Sequence, residues 1–126
     1  MESGFNKLLV KEIIGQLIHS AETIQKRSRS IKSPDDYLRN DRNLEKLDAA
    51  CMQLIAIGES IKNLDKVTSG KLLKKYPEFE WKKAMAMRDI LSHHYFDINS
   101  EIVCQVCKEE IPVLKKILAR ILEENF

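Results

Sequence analysis

The chain has 126 residues, 44% of them hydrophobic and 32% charged, with a net charge of +2 and three cysteines. This length supports one hydrophobic core, so we expect a single domain over residues 1–126. No stretch approaches the roughly 20 uninterrupted apolar residues of a membrane span, and lysines interrupt the first apolar run, unlike a signal peptide. We therefore expect a cytoplasmic protein with reduced thiols, because an odd number of cysteines does not indicate a disulfide framework.

The first half of the sequence predicts two long helices. From Phe5 onward, apolar residues recur at steps of three and four, which indicates one helix with a buried stripe that ends near Ser30. The sequence SPDD at 33–36 is typical of a helix start: serine caps, proline occupies the first turn and the acids favour its positive end. A second long helix should follow, and Gly58 on its apolar stripe predicts the close approach of another helix.

The second half predicts two more main helices. A short segment lies between the turn residues at 68–70 and Tyr76-Pro77, and a helical pattern then resumes over residues 81–91. A long apolar stripe after Asp97 describes the last helix, whose capping residue is one of Asp97, Asn99 and Ser100.

Pro112 lies inside this last helix and should kink it, because proline removes a backbone donor and crowds the carbonyl of Lys108. The stripe continues beyond the proline, so the helix should not end there. Four main helices with short connections predict an all-α fold, an antiparallel four-helix bundle with an additional short helix and a kinked last helix.

Positive charge is concentrated in one part of the chain. Residues 1–60 carry no net charge, residues 61–88 carry +5 and residues 89–126 carry −3. Such a band could neutralise the phosphates of a polyanion, although a charge run usually only keeps a surface solvated. The band consists of Lys62, Lys66, Lys71, Lys74, Lys75, Lys82, Lys83 and Arg88.

The segment MRDILSHHYF, at 87–96, holds an arginine and two of the three histidines. On a straight helix the side chains of Arg88 and His93 point about 140° apart. They can act together only if the chain bends after Leu91, if the long arginine side chain extends around the helix, or if a second copy of the protein supplies its own motif. Arginine and histidine suit attack of a ribose 2′-hydroxyl on the adjacent phosphate without a metal. Spacing alone favours a plainer interpretation, in which the histidines end a helix and Tyr95 is a core aromatic.

Three segments resemble the HepT-like branch of the HEPN superfamily, over roughly residues 44 to 122. They are IGESIKNL, YPEFEWKKAMAMRDILSHHYFDIN and EIVCQVCKEEIPVLKKIL. The shared features are a glycine-containing IGE helix, a tyrosine-proline turn before a tryptophan, and an Arg-x4-His-x-Tyr motif. One pair departs from the family pattern, since members often carry arginine-asparagine where this chain has Met52-Gln53.

This resemblance implies a ribonuclease toxin that acts on RNA as a homodimer, with no cofactor and with two motifs facing one another across a cleft. It also implies a partner, a minimal nucleotidyltransferase antitoxin of a type VII-like toxin–antitoxin system, which transfers AMP to the motif tyrosine. Arg88 and His93 would be catalytic, Tyr95 would accept AMP and Asp89 would orient the site. The candidate RNA-binding residues are Lys74, Lys75, Lys82 and Lys83.

Other classes of protein remain open from the sequence. The chain could be a non-catalytic helical dimer that binds a nucleotidyltransferase or a nucleotide, or a structural bundle whose basic band is unrelated to the motif. Cys104 and Cys107, with His93 and His94 nearby, could suggest zinc. Both cysteines fall beside the apolar stripe, however, where thiols pack as small hydrophobes, and we expect no metal site.

Overall fold

The computed structural model describes residues 6–92 and 99–126, and in these the chain forms helices and no strand, which confirms the all-α fold. A 3₁₀ turn at Leu73–Lys75 follows the second long helix, and a π-helical turn at Val106–Glu110 joins the last two helices. No helix of the described part is long and apolar enough to cross a membrane. The α-helices are α1 (Lys7–Arg27), α2 (Pro34–Tyr37), α3 (Asp41–Val67), α4 (Trp81–Met85), α5 (Met87–Ser92), α6 (Ser100–Gln105) and α7 (Ile111–Asn125).

Side-chain contacts between helix ends show how the long helices are directed relative to α1. Lys46, early in α3, donates from Nζ to Oγ of Ser30, just beyond the end of α1, at 2.8 Å. Lys115, early in α7, lies 3.4 Å from the carboxylate of Glu22, late in α1. Both α3 and α7 therefore run antiparallel to α1.

The hydrophobic core runs between these helices and draws on each long one. Its fully buried side chains include Val10, Ile14 and Leu17 of α1, Leu54, Ile61 and Leu64 of α3, and Leu114, Leu118 and Ile121 of α7. They recur at steps of three, four or seven, which is the spacing of a single helical face. The apolar stripes in the sequence thus correspond to the buried faces, except at Leu8 and Leu9 of α1 and Leu44 of α3, which are exposed.

Gly58 marks the place where α4 packs against α3. A Cβ atom at this position would lie 2.5 Å from the backbone oxygen of Ala84 and 3.4 Å from Cβ of Met87. Only glycine allows the α4 backbone to approach α3 this closely without displacement. The predicted close helix approach is confirmed, and it sets the position of α4 and of α5 after it.

The expectation of a long helix starting at Ser33 is wrong, because two helix starts lie close together. Asp36 Oδ2 accepts backbone hydrogen bonds from Lys32 at 2.7 Å and Ser33 at 3.3 Å, and α2 ends at Tyr37. Asn40 then caps α3 by accepting a hydrogen bond from the backbone N–H of Asn43 at 2.9 Å. The second cap competes with continuation of α2, so the first start yields a single turn.

Pro112 is accommodated within the first turn of α7, and the chain remains helical on both sides of it. The backbone N–H of Ile111 bonds to the carbonyl of Val106, five residues back, which widens the preceding turn into a π-helix. In the first turn of α7 the missing N–H of proline costs little. The kink predicted at Pro112 stays a prediction, and the structure shows a π-helical turn just ahead of the proline. Asn99, one of the three predicted capping residues, caps α6 by accepting hydrogen bonds from the backbone N–H groups of Glu101 and Ile102.

Gly58→Ala should destabilise the protein, by about 1–3 kcal/mol, since the new methyl group forces α4 away from α3. The matched control is Gly15→Ala on α1, where a Cβ would meet nothing within 4 Å. That change should stabilise by up to about 1 kcal/mol, because alanine favours the helix over glycine. Urea unfolding of both variants measures the difference, and equal changes of the same sign would contradict the close approach.

Candidate functional site

Helix α5 places the arginine of the motif on the surface. Met87 and Leu91, one helical turn apart, are both buried against the core, whereas Arg88 and Asp89 are exposed. The anchored face thus holds the helix while the guanidinium faces outward. His93, His94 and Tyr95 lie outside the described residues, so their arrangement relative to Arg88 stays a prediction.

The turn ahead of α4 is fixed by polar contacts to the end of α7. Trp81 is buried and donates from Nε1 to the carbonyl oxygen of Tyr76 at 2.8 Å. The Tyr76 hydroxyl donates to Glu124 Oε1 at 2.7 Å and accepts from Asn125 Nδ2 at 2.9 Å. Burial, followed by the Glu124 contact, raises the pKa of Tyr76 above its usual value. This network holds the start of the segment that carries Arg88.

Lys74 and Lys82 line one groove between the end of α3 and the start of α4. The groove has a volume of about 520 Å³ and also presents Phe79 and Trp81. Cations beside aromatic rings suit the phosphates and bases of single-stranded nucleic acid. Asp65 and Glu80 line the same groove, so its positive potential is partly offset.

The other two candidate lysines are engaged elsewhere. Lys83 Nζ lies 3.3 Å from Glu110 Oε2, and Lys75 Nζ donates to Asn125 Oδ1 at 3.0 Å. All four candidate lysines are exposed, but the structure brings only Lys74 and Lys82 to a common groove. The basic band of the sequence is therefore divided among different surfaces.

The three cysteines, Cys51, Cys104 and Cys107, are free and buried, as expected for reduced thiols in a core. Burial raises the pKa of Cys51 and of Cys107 to about 11 and also raises that of Cys104. Among residues 6–92 and 99–126, no three or more histidine, cysteine and acidic side chains could hold a metal ion together. The described residues thus lend no support to a zinc site.

Tyr37 and Tyr76, two of the three tyrosines in the chain, are enclosed by the fold, with 1% and 4% of their surface exposed. The Tyr37 hydroxyl has no well-formed hydrogen bond within the described part, although the Cys107 thiol lies beside it. Burial raises the pKa of Tyr37 well above its usual value. Neither hydroxyl is presented to a partner enzyme.

One concave basic surface was not predicted from the sequence. It lies between the end of α1 and the first half of α3, with Lys26, Arg27, Arg29 and Lys46 on its walls. The run QKRSRS at 25–30 was the available signal, but acids elsewhere in residues 1–60 cancel its charge in a segment average.

Comparison with protein families identifies the class. A family described as "Ribonuclease HepT-like" matches residues 17–121, a span that contains the three motif residues, Arg88, His93 and Tyr95, and also Asp89. The chain therefore belongs to the ribonuclease HepT-like family. No solved structure matches it.

Relatives carry related names. The chain is 33% identical over 115 residues to "Gamma-glutamylcyclotransferase and putative RNase MJ0434" of Methanocaldococcus jannaschii, with 91% of this chain and 48% of that protein covered. It is 34% identical over 90 residues to "Putative RNase MJ0127" of the same organism, covering 71% and 69%. It is 29% identical over 105 residues to "Probable ribonuclease HepT" of Thermococcus cleftensis, covering 83% and 88%. The chain thus spans about half the length of the first of these relatives.

The three thiols should be nearly unreactive toward a disulfide reagent at about pH 8 in the folded protein. A thiol with a pKa of about 11 is ionised to only about one part in a thousand there, and the core excludes the reagent. Unfolding in guanidinium should release three reactive thiols. Colorimetric titration before and after unfolding measures this, and fast reaction of any thiol in the folded state would show that the cysteine region is open.

Proposed function

We propose that the protein is a metal-independent endoribonuclease toxin, neutralised by a nucleotidyltransferase antitoxin. The observation that carries the proposal is the match to the ribonuclease HepT-like family over the segment that contains Arg88, His93 and Tyr95. The outward position of Arg88 on an anchored helix supports it, because a catalytic cation must reach a bound phosphate.

The proposed chemistry is internal transfer within the RNA backbone. His93 removes the proton of a ribose 2′-hydroxyl, and the 2′-oxygen attacks the adjacent phosphorus. The bond from phosphorus to the 5′-oxygen breaks, and a proton delivered to that oxygen completes the step. Arg88 stabilises the negative charge that develops on the phosphoryl oxygens, and Asp89 orients the arginine side of the site. The products are a 2′,3′-cyclic phosphate and a 5′-hydroxyl.

The proposed active form is a homodimer, in which two motifs face one another. Three apolar side chains support this: Leu44, Met52 and Ile90 remain 39%, 70% and 38% exposed on α3 and α5. Exposed apolar side chains on helices that carry or adjoin Arg88 are suited to contact with a second copy. Met52 also stands where family members often carry an arginine.

The proposed antitoxin transfers AMP from ATP to the Tyr95 hydroxyl, with pyrophosphate as the leaving group. The burial of Tyr37 and Tyr76 supports this choice, since an enzyme cannot reach a phenol inside a folded core. An AMP group on Tyr95 would add a negative phosphate close to Arg88 and His93 and would repel an RNA phosphate from them.

His93→Ala and Arg88→Ala should each lower RNA cleavage by about 100-fold or more, the usual cost of losing a general base or a charge-stabilising donor. Matched controls are His94→Ala and Arg42→Ala, which remove the same side-chain types outside the proposed pair. Growth arrest and RNA integrity are compared at equal soluble levels, and purified protein is assayed with EDTA and for cyclic phosphate ends.

Each outcome of that comparison is informative. A folded His93→Ala or Arg88→Ala protein that still cuts RNA contradicts the role given to that residue, and loss of cleavage in EDTA contradicts a metal-independent reaction. A wild type as harmless as the variants would favour the non-catalytic binding dimer. Equal growth arrest by the wild type and all variants would show that the motif does not cause the toxicity.

Incubation with the cognate nucleotidyltransferase, ATP and Mg²⁺ should add AMP to Tyr95, read as a mass increase of the intact chain and mapped by peptide fragmentation. Tyr95→Phe should remain unmodified, whereas Tyr37→Phe and Tyr76→Phe, which alter the buried tyrosines, should be modified like wild type. Modification of Tyr95→Phe would refute Tyr95 as the acceptor. Cleavage should fall in proportion to the modified fraction.

A further inference from the structure

The pocket between α1 and α3 is lined by neither Arg88 nor Asp89, and its lining is cationic and apolar. It has a volume of about 560 Å³ and is formed by the end of α1, the turn that follows and the first half of α3. Pockets of this size hold small organic ligands. Four of its lining residues are cationic, Lys26, Arg27, Arg29 and Lys46, and none is acidic.

The cations of this pocket form no ion pair with a carboxylate of the described residues. Within residues 6–92 and 99–126, no carboxylate lies within ion-pair distance of any of the four. Lys46 makes one polar contact, to the Ser30 hydroxyl at 2.8 Å, which is also part of the lining. This differs from the groove of Lys74 and Lys82, where two acids share the lining.

Beneath the cations, the pocket has an apolar floor. Ile24, Ala50 and Tyr37 are buried side chains of its lining, and Ala49 lies beside them. An apolar floor under a cationic rim matches a ligand with a flat, weakly polar part and an anionic part. A nucleotide has both, since a base can lie on the floor while its phosphate meets the rim.

The turn that presents Arg29 is held in place before any ligand arrives. Ser28 donates from its backbone N–H and from its hydroxyl to the carbonyl of Ile24, at 2.9 and 2.8 Å. The Ser28 carbonyl accepts from Lys108 Nζ at 2.6 Å and from the Ile31 N–H at 3.0 Å. A preformed rim lowers the entropy cost of binding.

Favourable interaction with the α1 dipole gives a simpler reason for some of these cations. Lys26 and Arg27 lie in the last turn of α1, where positive charge is stabilising without any ligand. Arg29 lies beyond the helix and Lys46 belongs to α3. The dipole of α1 does not explain why cations from separate elements converge on one apolar-floored pocket.

We propose that the α1–α3 pocket binds a nucleotide, with its phosphate against Arg29 and Lys46 and its base on the floor formed by Ile24, Ala49 and Ala50. The ligand is either a free 5′-nucleotide or one unit of an RNA strand, since both present the same base and phosphate. This goes beyond the proposed nuclease activity, because the residues that would hold the nucleotide belong to α1, the turn after it and α3 and not to the motif.

Binding is measured on the full chain carrying His93→Ala, so that cleavage does not consume the probe. AMP is titrated by calorimetry, and a fluorescent 2′-O-methyl tetranucleotide, which lacks the attacking hydroxyl, by anisotropy. Arg29→Gln with Lys46→Gln should weaken binding about tenfold, a typical cost of removing two charged hydrogen bonds to phosphate. The matched control, Arg42→Gln with Lys116→Gln, removes the same charges from exposed sites outside the pocket lining and should bind within about twofold of the parent.

Two further readouts separate a ligand site from a general charge effect. Ala49→Leu fills the floor without changing charge and should also weaken binding, with folding checked by thermal unfolding. For the tetranucleotide, the slope of log affinity against log salt should fall by about 0.7 for each phosphate that the variant no longer neutralises. If the double glutamine variant fails to fold, the proposal is tested by the affinity of Ala49→Leu and by the salt dependence of binding to the parent protein.

Binding of AMP that depends on the pocket supports a free-nucleotide site, and pocket-dependent binding of the strand alone supports an RNA contact. Absence of binding by both probes, or equal loss in pocket and control variants, overturns the proposal. A wild-type protein that binds through the pocket but never cuts RNA would refute the nuclease proposal and leave this one standing.

Discussion

The contact between Gly58 and the backbone oxygen of Ala84 is the constraint on which the arrangement of the candidate site depends. Because no Cβ separates them, α4 lies directly on α3, and α5 continues from it with Met87 and Leu91 in the core. This packing leaves Arg88 and Asp89 on the outer side. The Tyr76 and Trp81 hydrogen bonds fix the other end of α4, so the segment is held at both ends before it reaches the motif.

The fold was largely predictable because helical periodicity and burial express the same physical requirement. Each long apolar stripe became a buried helix face apart from its first residues in α1 and α3, and the glycine on the α3 stripe marked a close approach. Competition between neighbouring helix starts was harder to predict. Ser33 and Asn40 both offer helix starts, and only the structure shows that the second one limits α2 to a single turn. Pro112 likewise predicted a kink, whereas the structure shows a π-helical turn just ahead of the proline.

The basic surfaces were less predictable than the fold, because residues that are close in the sequence can lie on different surfaces of the protein. The lysine band of residues 61–88 is divided by the fold: Lys83 meets Glu110, and Lys75 contacts Asn125. In contrast, the zero net charge of residues 1–60 concealed four cations that converge on the α1–α3 pocket. No acidic residue of residues 1–60 is among those that line this pocket, and an average of charge over the sequence cannot show this. The motif was recognised through family resemblance, since its spacing alone did not favour catalysis.

The two basic surfaces bear differently on the proposed nuclease. Lys82 belongs to α4 and Arg88 to α5, the helix that follows it directly, and both residues are exposed. The groove of Lys74 and Lys82 is therefore built on the same segment as the arginine of the proposed active site. The pocket of Arg29 and Lys46 is built on α1 and α3, and occupancy there need not affect chemistry. A net charge of +2 thus conceals two separate basic surfaces, because the fold distributes the cations over different helices.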